Sequence, residues 1–343
     1  MRLPPVPPTY MHRHHLAAAL ARVSDPAFDA AELFYASHSQ WPLARPSGER
    51  RNSSKVSPER IHIAVFDSSF NPPTRAHLAI SLTSYPPPTD LSTLSSRATP
   101  TAISPPTDDE PYTARLLLLS ARNVDKTLKP GDATFVQRVE MMRLQALDME
   151  DKRSPRATAG ERGDDPSNGN VAVAALNHPT FVGKSDILLR WLRQRFKTTT
   201  STATPRPEPE VRLTFLIGTD TLMRLFIPKY YTPEPRLGSG MTAHLQKLFT
   251  TDGSDIVVAH RGATAQAREE EERFILSHES CVDLVTRGKL RFVRAGEVGA
   301  EEREMSSTRV RKALVARDEG EARLLMGTRV AEYVLGEGLY QVP

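Results

Sequence analysis

Residues 61–77 read IHIAVFDSSFNPPTRAH, and the order of events within them decides the fold. The run IHIAVF (61–66) has the uninterrupted apolar character of a strand covered on both faces. Asn71-Pro72-Pro73 then imposes a tight non-helical turn, and Thr74 is placed to cap a helix that opens with Arg75, Ala76 and His77. A strand that passes through small hydroxyl residues into a helix start is the first half of a βαβ unit. The helix start carries unsatisfied N–H groups and a partial positive charge, so it stabilises an anion. Ser68, Ser69 and Phe70 bring hydroxyl and backbone donors beside it, and His77 can aim a ring N–H at the same anion. Ordinary turn serines and an ordinary histidine are the plainer reading of these residues taken alone.

Outward from this stretch the pattern repeats. Strand-like runs fall at IHIAVF (61–66), RLLLLS (115–120), VAVAAL (171–176), RLTFLIG (212–218), DIVVAH (255–260) and LRFVRA (290–295). Helical patterns lie between them, at HLAISL, FVQRVEMMRLQALDME, DILLRWLRQRF, DTLMRLF, HLQKLF and EEEERFILSHES, and two more, STRVRKALVAR and TRVAEYVLGEGLY, follow the last. The alternation predicts an α/β fold: a doubly wound, Rossmann-like parallel sheet with right-handed crossovers. Ligands in such sheets bind at the carboxyl ends of the strands, near the topological switch point. Residues 1–58 are expected to form an N-terminal helical extension, with helix over HLAAALARV and FDAAELFYA, and residues 59–343 the main domain.

Three stretches interrupt it. Residues 84–111 hold seven prolines and ten Ser or Thr, too little apolar surface to offset the entropy of ordering. Residues 151–170 and 197–210 have the same character. All three are expected to be disordered surface insertions within one domain, because strand-like runs resume after each.

The balance of 45 basic and 41 acidic residues, net charge +4, is too even to call for nucleic acid. It suits small polyanionic substrates. The lone Cys281 excludes an intramolecular disulfide and a cysteine-based zinc site, and fits a reducing compartment. No apolar run approaches a membrane span, and no secretion signal is present. Arg2, Arg13 and Arg22, with no acid in the first 24 residues, give a faint presequence character. A cytoplasmic or nuclear location is expected ahead of a mitochondrial one.

A second anion-seeking segment is EMSSTRVRKAL (304–314). Ser306, Ser307 and Thr308 can cap a helix there, and Arg311 can offer a forked donor set to phosphate oxygens. A plain cap with a solvated basic face is the alternative. Gly183-Lys184-Ser185 looks like the tail of a phosphate-binding loop, but His178 stands where the required glycine would be. EMSST also resembles a loop of class I aminoacyl-tRNA synthetases, without their anticodon-binding module. His260-Arg261 follows the fifth strand and could reach a base or phosphate. His12, His14 and His15 lack acidic or cysteine partners nearby, and no metal site is expected.

FDSSFNPPTRAH resembles the GSFNPxTxxH, or (H/T)xGH, signature of the nucleotidyltransferase superfamily, and MSSTRVR resembles its ISSTxxR signature. Their order and separation match as well. Within that HUP-type superfamily the likeness is to nicotinamide mononucleotide adenylyltransferases of a divergent fungal type. NVDKTLKP (123–130), FVQRVEMM (135–142), GTDTLMRLFIPKYY (218–231) and VAEYVLGEGLY resemble further segments of that family, and the likeness spans roughly residues 60–341 apart from the insertions. Ser68 and Ala76 stand where the family has glycine, Gln137 where it has histidine, and Tyr231 where it has tryptophan.

The resemblance implies transfer of AMP from ATP to nicotinamide mononucleotide, with Mg²⁺ carried on the ATP phosphates and no protein metal site. It implies that His77, Thr74 and Arg311 act in catalysis. Ser68, Ser69, Phe70, Gly218, Asp220, Ser306, Ser307 and Thr308 would bind ATP with them, while Lys126, Arg138 and Tyr231 would hold the acceptor. ATP and nicotinamide mononucleotide are the expected partners, with no nucleic acid and no membrane. The glycine and tryptophan departures keep open an adenylyl- or cytidylyltransferase with another phosphorylated acceptor, and a nucleotide-binding regulatory protein without catalysis.

Overall fold

The computed structural model describes residues 9–10, 13–43, 60–89, 111–122, 131–152, 166–199, 208–260, 264–294 and 296–341. Its strands are β1 (Thr9–Tyr10), β2 (Ala31–Ala36), β3 (Arg60–Asp67), β4 (Ala114–Ser120), β5 (Val171–Leu176), β6 (Glu210–Gly218), β7 (Asp255–Ala259) and β8 (Leu290–Phe292). They form one sheet in the order β1-β2-β5-β4-β3-β6-β7-β8. From β5 to β8 every neighbouring pair is parallel. Counted along the chain, the parallel strands run third, second, first, fourth, fifth, sixth. That is the doubly wound order whose switch point lies between β3 and β6.

The helices are α1 (Arg13–Ser24), α2 (Arg75–Ser81), α3 (Phe135–Asp151), α4 (Phe181–Thr199), α5 (Thr219–Leu225), α6 (Gly240–Gln246), α7 (Ala265–Ser277), α8 (Glu279–Thr286), α9 (Ala300–Glu304), α10 (Ser307–Val315), α11 (Glu319–Leu325) and α12 (Thr328–Gly336). Alternation along β3 sends Ile61, Ile63 and Val65 to one core, with Ile187 and Leu192 of α4 and Leu284 of α8. Ala64 and Phe66 go to the other, with Leu16 of α1, Ile80 of α2 and Val139 of α3. From Ile63 to Phe66 the strand is therefore apolar at every position, as a strand covered on both faces requires. A third cluster joins Met141 of α3 to Val310 and Leu314 of α10 and Val334 of α12. It anchors the start of α10 beside the β3–α2 turn.

The six expected strands are all present, and two expectations are corrected. FDAAELFYA does not continue the N-terminal helix; its second part is β2, paired antiparallel with β5 from Ala31↔Leu176 to Ala36↔Ala172. Its Ala, Glu and Leu favour helix locally, but pairing with an open sheet edge and burial of Phe34 and Tyr35 outweigh that propensity. The margins of the insertions are ordered parts of the fold. Tyr85 is buried, its ring centroid 4.7 Å from His62 and 5.5 Å from Tyr112, with the Arg291 guanidinium 4.4 Å over it. Asn170 is buried and donates to the carbonyls of Pro42 and Thr113, each at 2.9 Å. Residues 90–110, 153–165 and 200–207 lie outside the described residues. No helix among the described residues is long and apolar enough to cross a membrane.

Candidate active site

The carboxyl end of β3 delivers the chain to the NPP turn and α2. Phe70 occupies the left-handed region at φ +44 and is fully buried. Packing holds that conformation: its ring meets Phe66 edge-on at 5.7 Å and lies 5.8 Å from the His77 ring. Thr74 caps α2 in a reciprocal box with His77. The Thr74 backbone N–H donates to His77 Nδ1 at 3.1 Å, and Thr74 Oγ1 lies 2.7 Å from the same nitrogen. A backbone N–H only donates, so Nδ1 holds the lone pair and the neutral ring carries its proton on Nε2. Nε2 lies 3.1 Å from Ser68 Oγ. The imidazole N–H is thus fixed toward the strand-end loop by its neighbours. Thr74 itself is buried at 1 % exposure; its hydroxyl orients His77 and is not open to a ligand.

The second motif packs directly on this turn. Ser306 caps α10 by accepting the Arg309 N–H at 3.2 Å. Ser307 Oγ donates to the Pro72 carbonyl at 2.8 Å, and an Arg311 terminal nitrogen donates to the Asn71 carbonyl. The other terminal nitrogen donates to Thr308 Oγ1 at 3.3 Å. A cavity of about 330 Å³ opens beside them, lined by Thr308, Arg311, Lys312, Val315 and Ala316.

Asn71 ties the turn to the rest of the fold. Its Nδ2 donates to Asp132 Oδ1 at 2.7 Å, while its Oδ1 accepts from the Tyr340 hydroxyl at 2.7 Å and the Ala133 N–H at 3.3 Å. Burial pushes the Tyr340 hydroxyl well above its ordinary range, which keeps it a donor. Arg138, expected at the acceptor phosphate, is buried behind this turn. Its Nε donates to the Ala133 carbonyl at 2.9 Å and its fork faces Asp132 at 3.6 Å. Burial draws its guanidinium below the ordinary arginine value.

Gly218 ends β6 and caps α5, with exposed Asp220 in the first turn of that helix. The register Phe66↔Leu216 puts Gly218 level with Ser68 across the switch point. Tyr231 is not on the cleft surface. It is buried, its hydroxyl donates to the Leu225 carbonyl, and its ring meets His244 edge-on at 5.3 Å. Lys126 and Arg261 lie outside the described residues. His260 stacks on Phe292 at 5.0 Å and pairs with Glu271 at 2.7 Å.

One polar pair here escaped the sequence reading. Lys184 Nζ, from the first turns of α4, is ion-paired with Asp67 Oδ2, and Ser120 Oγ donates to Asp67 Oδ1 at 3.3 Å. Both residues were in view, one abutting Ser68 and the other within Gly183-Lys184-Ser185. Neither adjacency nor spacing brings them together; the crossover of α4 does.

No family model matches the chain, and no curated protein matches it. Among solved structures, Plasmodium falciparum nicotinic acid mononucleotide adenylyltransferase complexed with NaAD matches at 12% identity and a TM-score of 0.42, over 83% of this chain and 99% of that one. The same enzyme complexed with APC gives 12% and 0.43, over the same shares. A putative nicotinate-nucleotide adenylyltransferase from Vibrio parahaemolyticus gives 16% and 0.32, over 82% and 97%. At such levels the likeness bears no functional weight, and the fold rests on the chain's own strand order.

Proposed function

We propose that this protein is an adenylyltransferase that moves AMP from ATP to nicotinamide mononucleotide, forming NAD and pyrophosphate. The observation that carries the reading is the joining of two anion-seeking motifs: Ser307 and Arg311 are hydrogen-bonded to the turn that presents His77. Each motif alone is an ordinary helix start. Packed on one another, they bring an imidazole N–H, serine and threonine hydroxyls and a guanidinium fork onto adjoining segments beside the switch point of a doubly wound sheet.

The chemistry needs no protein nucleophile. An already ionised phosphate oxygen of the acceptor attacks the α-phosphorus of ATP in line. The new P–O bond forms as the bond to the bridging oxygen of the β-phosphate breaks, and pyrophosphate leaves with that electron pair. The protein's task is to align the two phosphates and stabilise charge in the transition state. His77 donates from Nε2 to an α- or β-phosphate oxygen, exchanging Ser68 for ligand. Arg311 has five N–H donors and turns its remaining ones to the leaving pyrophosphate, with Ser307 and Thr308 at the same wall. Mg²⁺ would enter on the ATP phosphates, keep mostly water ligands and supply charge neutralisation there.

A coupled assay for NAD with ATP, Mg²⁺ and nicotinamide mononucleotide tests the reading. Folded protein that gives no NAD overturns it. The buried ring of Tyr231 favours one second reading, transfer to a different phosphorylated acceptor, because no aromatic face is supplied there for a pyridine. Pyrophosphate release across a panel of acceptors separates the two.

A further inference from the structure

We propose that the Asp67–Lys184 pair reads a primary carboxamide on the acceptor, and so selects the amide form of the pyridine mononucleotide over the acid form. The inference rests on the adenylyltransferase reading and narrows its acceptor.

Consecutive residues at the end of β3 serve opposite sides of the sheet. Ile63 and Val65 pack toward α4, and Ala64 and Phe66 toward α2. Continued by two residues, the alternation turns Asp67 to the α4 side, where it meets Lys184, and Ser68 to the α2 side, where it meets His77. The ion pair and the imidazole N–H therefore flank one point of backbone. Both lie at the carboxyl end of β3, where a doubly wound sheet binds its ligands.

The pair is costly to place there. The Lys184 and Asp67 side chains are 6% and 12% exposed. A buried ion pair is on average no more stabilising than well-packed apolar residues of similar volume. Stability therefore gives no reason for it at the carboxyl ends of β3 and β4, where this fold places its ligands.

Its hydrogen-bonding capacity is also unfinished. An ammonium has three donors, and among the described residues Lys184 directs a hydrogen bond to Asp67 alone; its Nζ otherwise lies 4.9 Å over the Phe181 ring. Asp67 accepts from Lys184 and Ser120, leaving lone pairs on both oxygens. A donor and an acceptor stand side by side, each with capacity left. A planar primary amide is their complement: its NH₂ donates to Asp67 and its carbonyl accepts from Lys184. A carboxylate in the same place sets one oxygen against the Asp67 charge with no proton between them.

The test compares kcat/KM for nicotinamide mononucleotide and for its carboxylate analogue, at fixed MgATP. The wild type should prefer the amide by at least about tenfold, since a site built to hydrogen-bond a group rejects the analogue that cannot pair with it. Asp67→Asn removes the charge at constant shape and should bring the ratio down by about that factor. The apolar double variant Asp67→Leu, Lys184→Met should also lose the preference, and its thermal midpoint shows whether the fold is kept. Wild type that makes neither dinucleotide takes down the adenylyltransferase reading itself. Wild type that turns over both acceptors equally, or variants that lose both in proportion with the ratio unchanged, overturn the carboxamide assignment alone.

Discussion

Ser307 Oγ donates a 2.8 Å hydrogen bond to the carbonyl of Pro72, 235 residues earlier in the chain. With Arg311 on the adjacent Asn71 carbonyl, it makes the wall that closes the β3–α2 turn. Removing that hydroxyl by Ser307→Ala should cost about 1 kcal/mol of stability, read as a lower urea midpoint. Arg311→Lys keeps the charge but loses the fork, and should lower kcat/KM for ATP while leaving the midpoint nearly unchanged. An unaltered rate would make Arg311 a structural tie only.

His77→Ala removes the Nε2–H held toward Ser68. If it supports the transition state, kcat should fall by the equivalent of about 2.7–4 kcal/mol. The accompanying loss of the capping box should stay near 1 kcal/mol of stability. Thermal melts beside steady-state kinetics separate the two effects.

Thr74→Val deletes the hydroxyl that caps α2 and touches His77 Nδ1, while the backbone N–H to Nδ1 remains. We expect about 1 kcal/mol of destabilisation and a smaller drop in kcat than for His77→Ala. In this reading Thr74 acts by orienting the His77 ring, so a larger drop than His77→Ala would reverse those roles.

Replacing residues 90–110 by a short Gly/Ser linker should leave kcat and KM unchanged. The chain leaves and re-enters this stretch through Tyr85 and Tyr112, whose rings are 5.5 Å apart. Both pack on His62 near the amino end of β3, the end of the sheet opposite His77. A change in KM for either substrate would show that the stretch reaches the site.

Cys281 is buried, and burial pushes its thiol up to about 12. The thiolate is the reactive form, so folded protein should resist alkylation at pH 8, and activity should survive the reagent. Mass spectrometry with and without denaturant reads the difference. Rapid labelling of native protein would contradict the burial.

Much of this molecule was legible in its residues. Most parallel strands announce themselves as short apolar runs, because a strand covered on both faces has no polar side to show. The anion-seeking segments were legible too, since caps and turns are chosen by local backbone chemistry. FDAAELFYA misled for the converse reason: its local propensity is helical, and only the unpaired edge of β5 makes it a strand.

By itself the sequence determined the doubly wound sheet and the two motifs, because periodicity, capping and turn formation act within a few residues. Tertiary structure alone decided which side chains meet. It turned Thr74 inward to hold His77, buried Tyr231 and Arg138, and seated α10 on the Asn71-Pro72 turn. It also paired Asp67 with Lys184 across 117 residues. Those contacts arise where a crossover helix and a strand end converge, and residue spacing along the chain carries no record of that convergence.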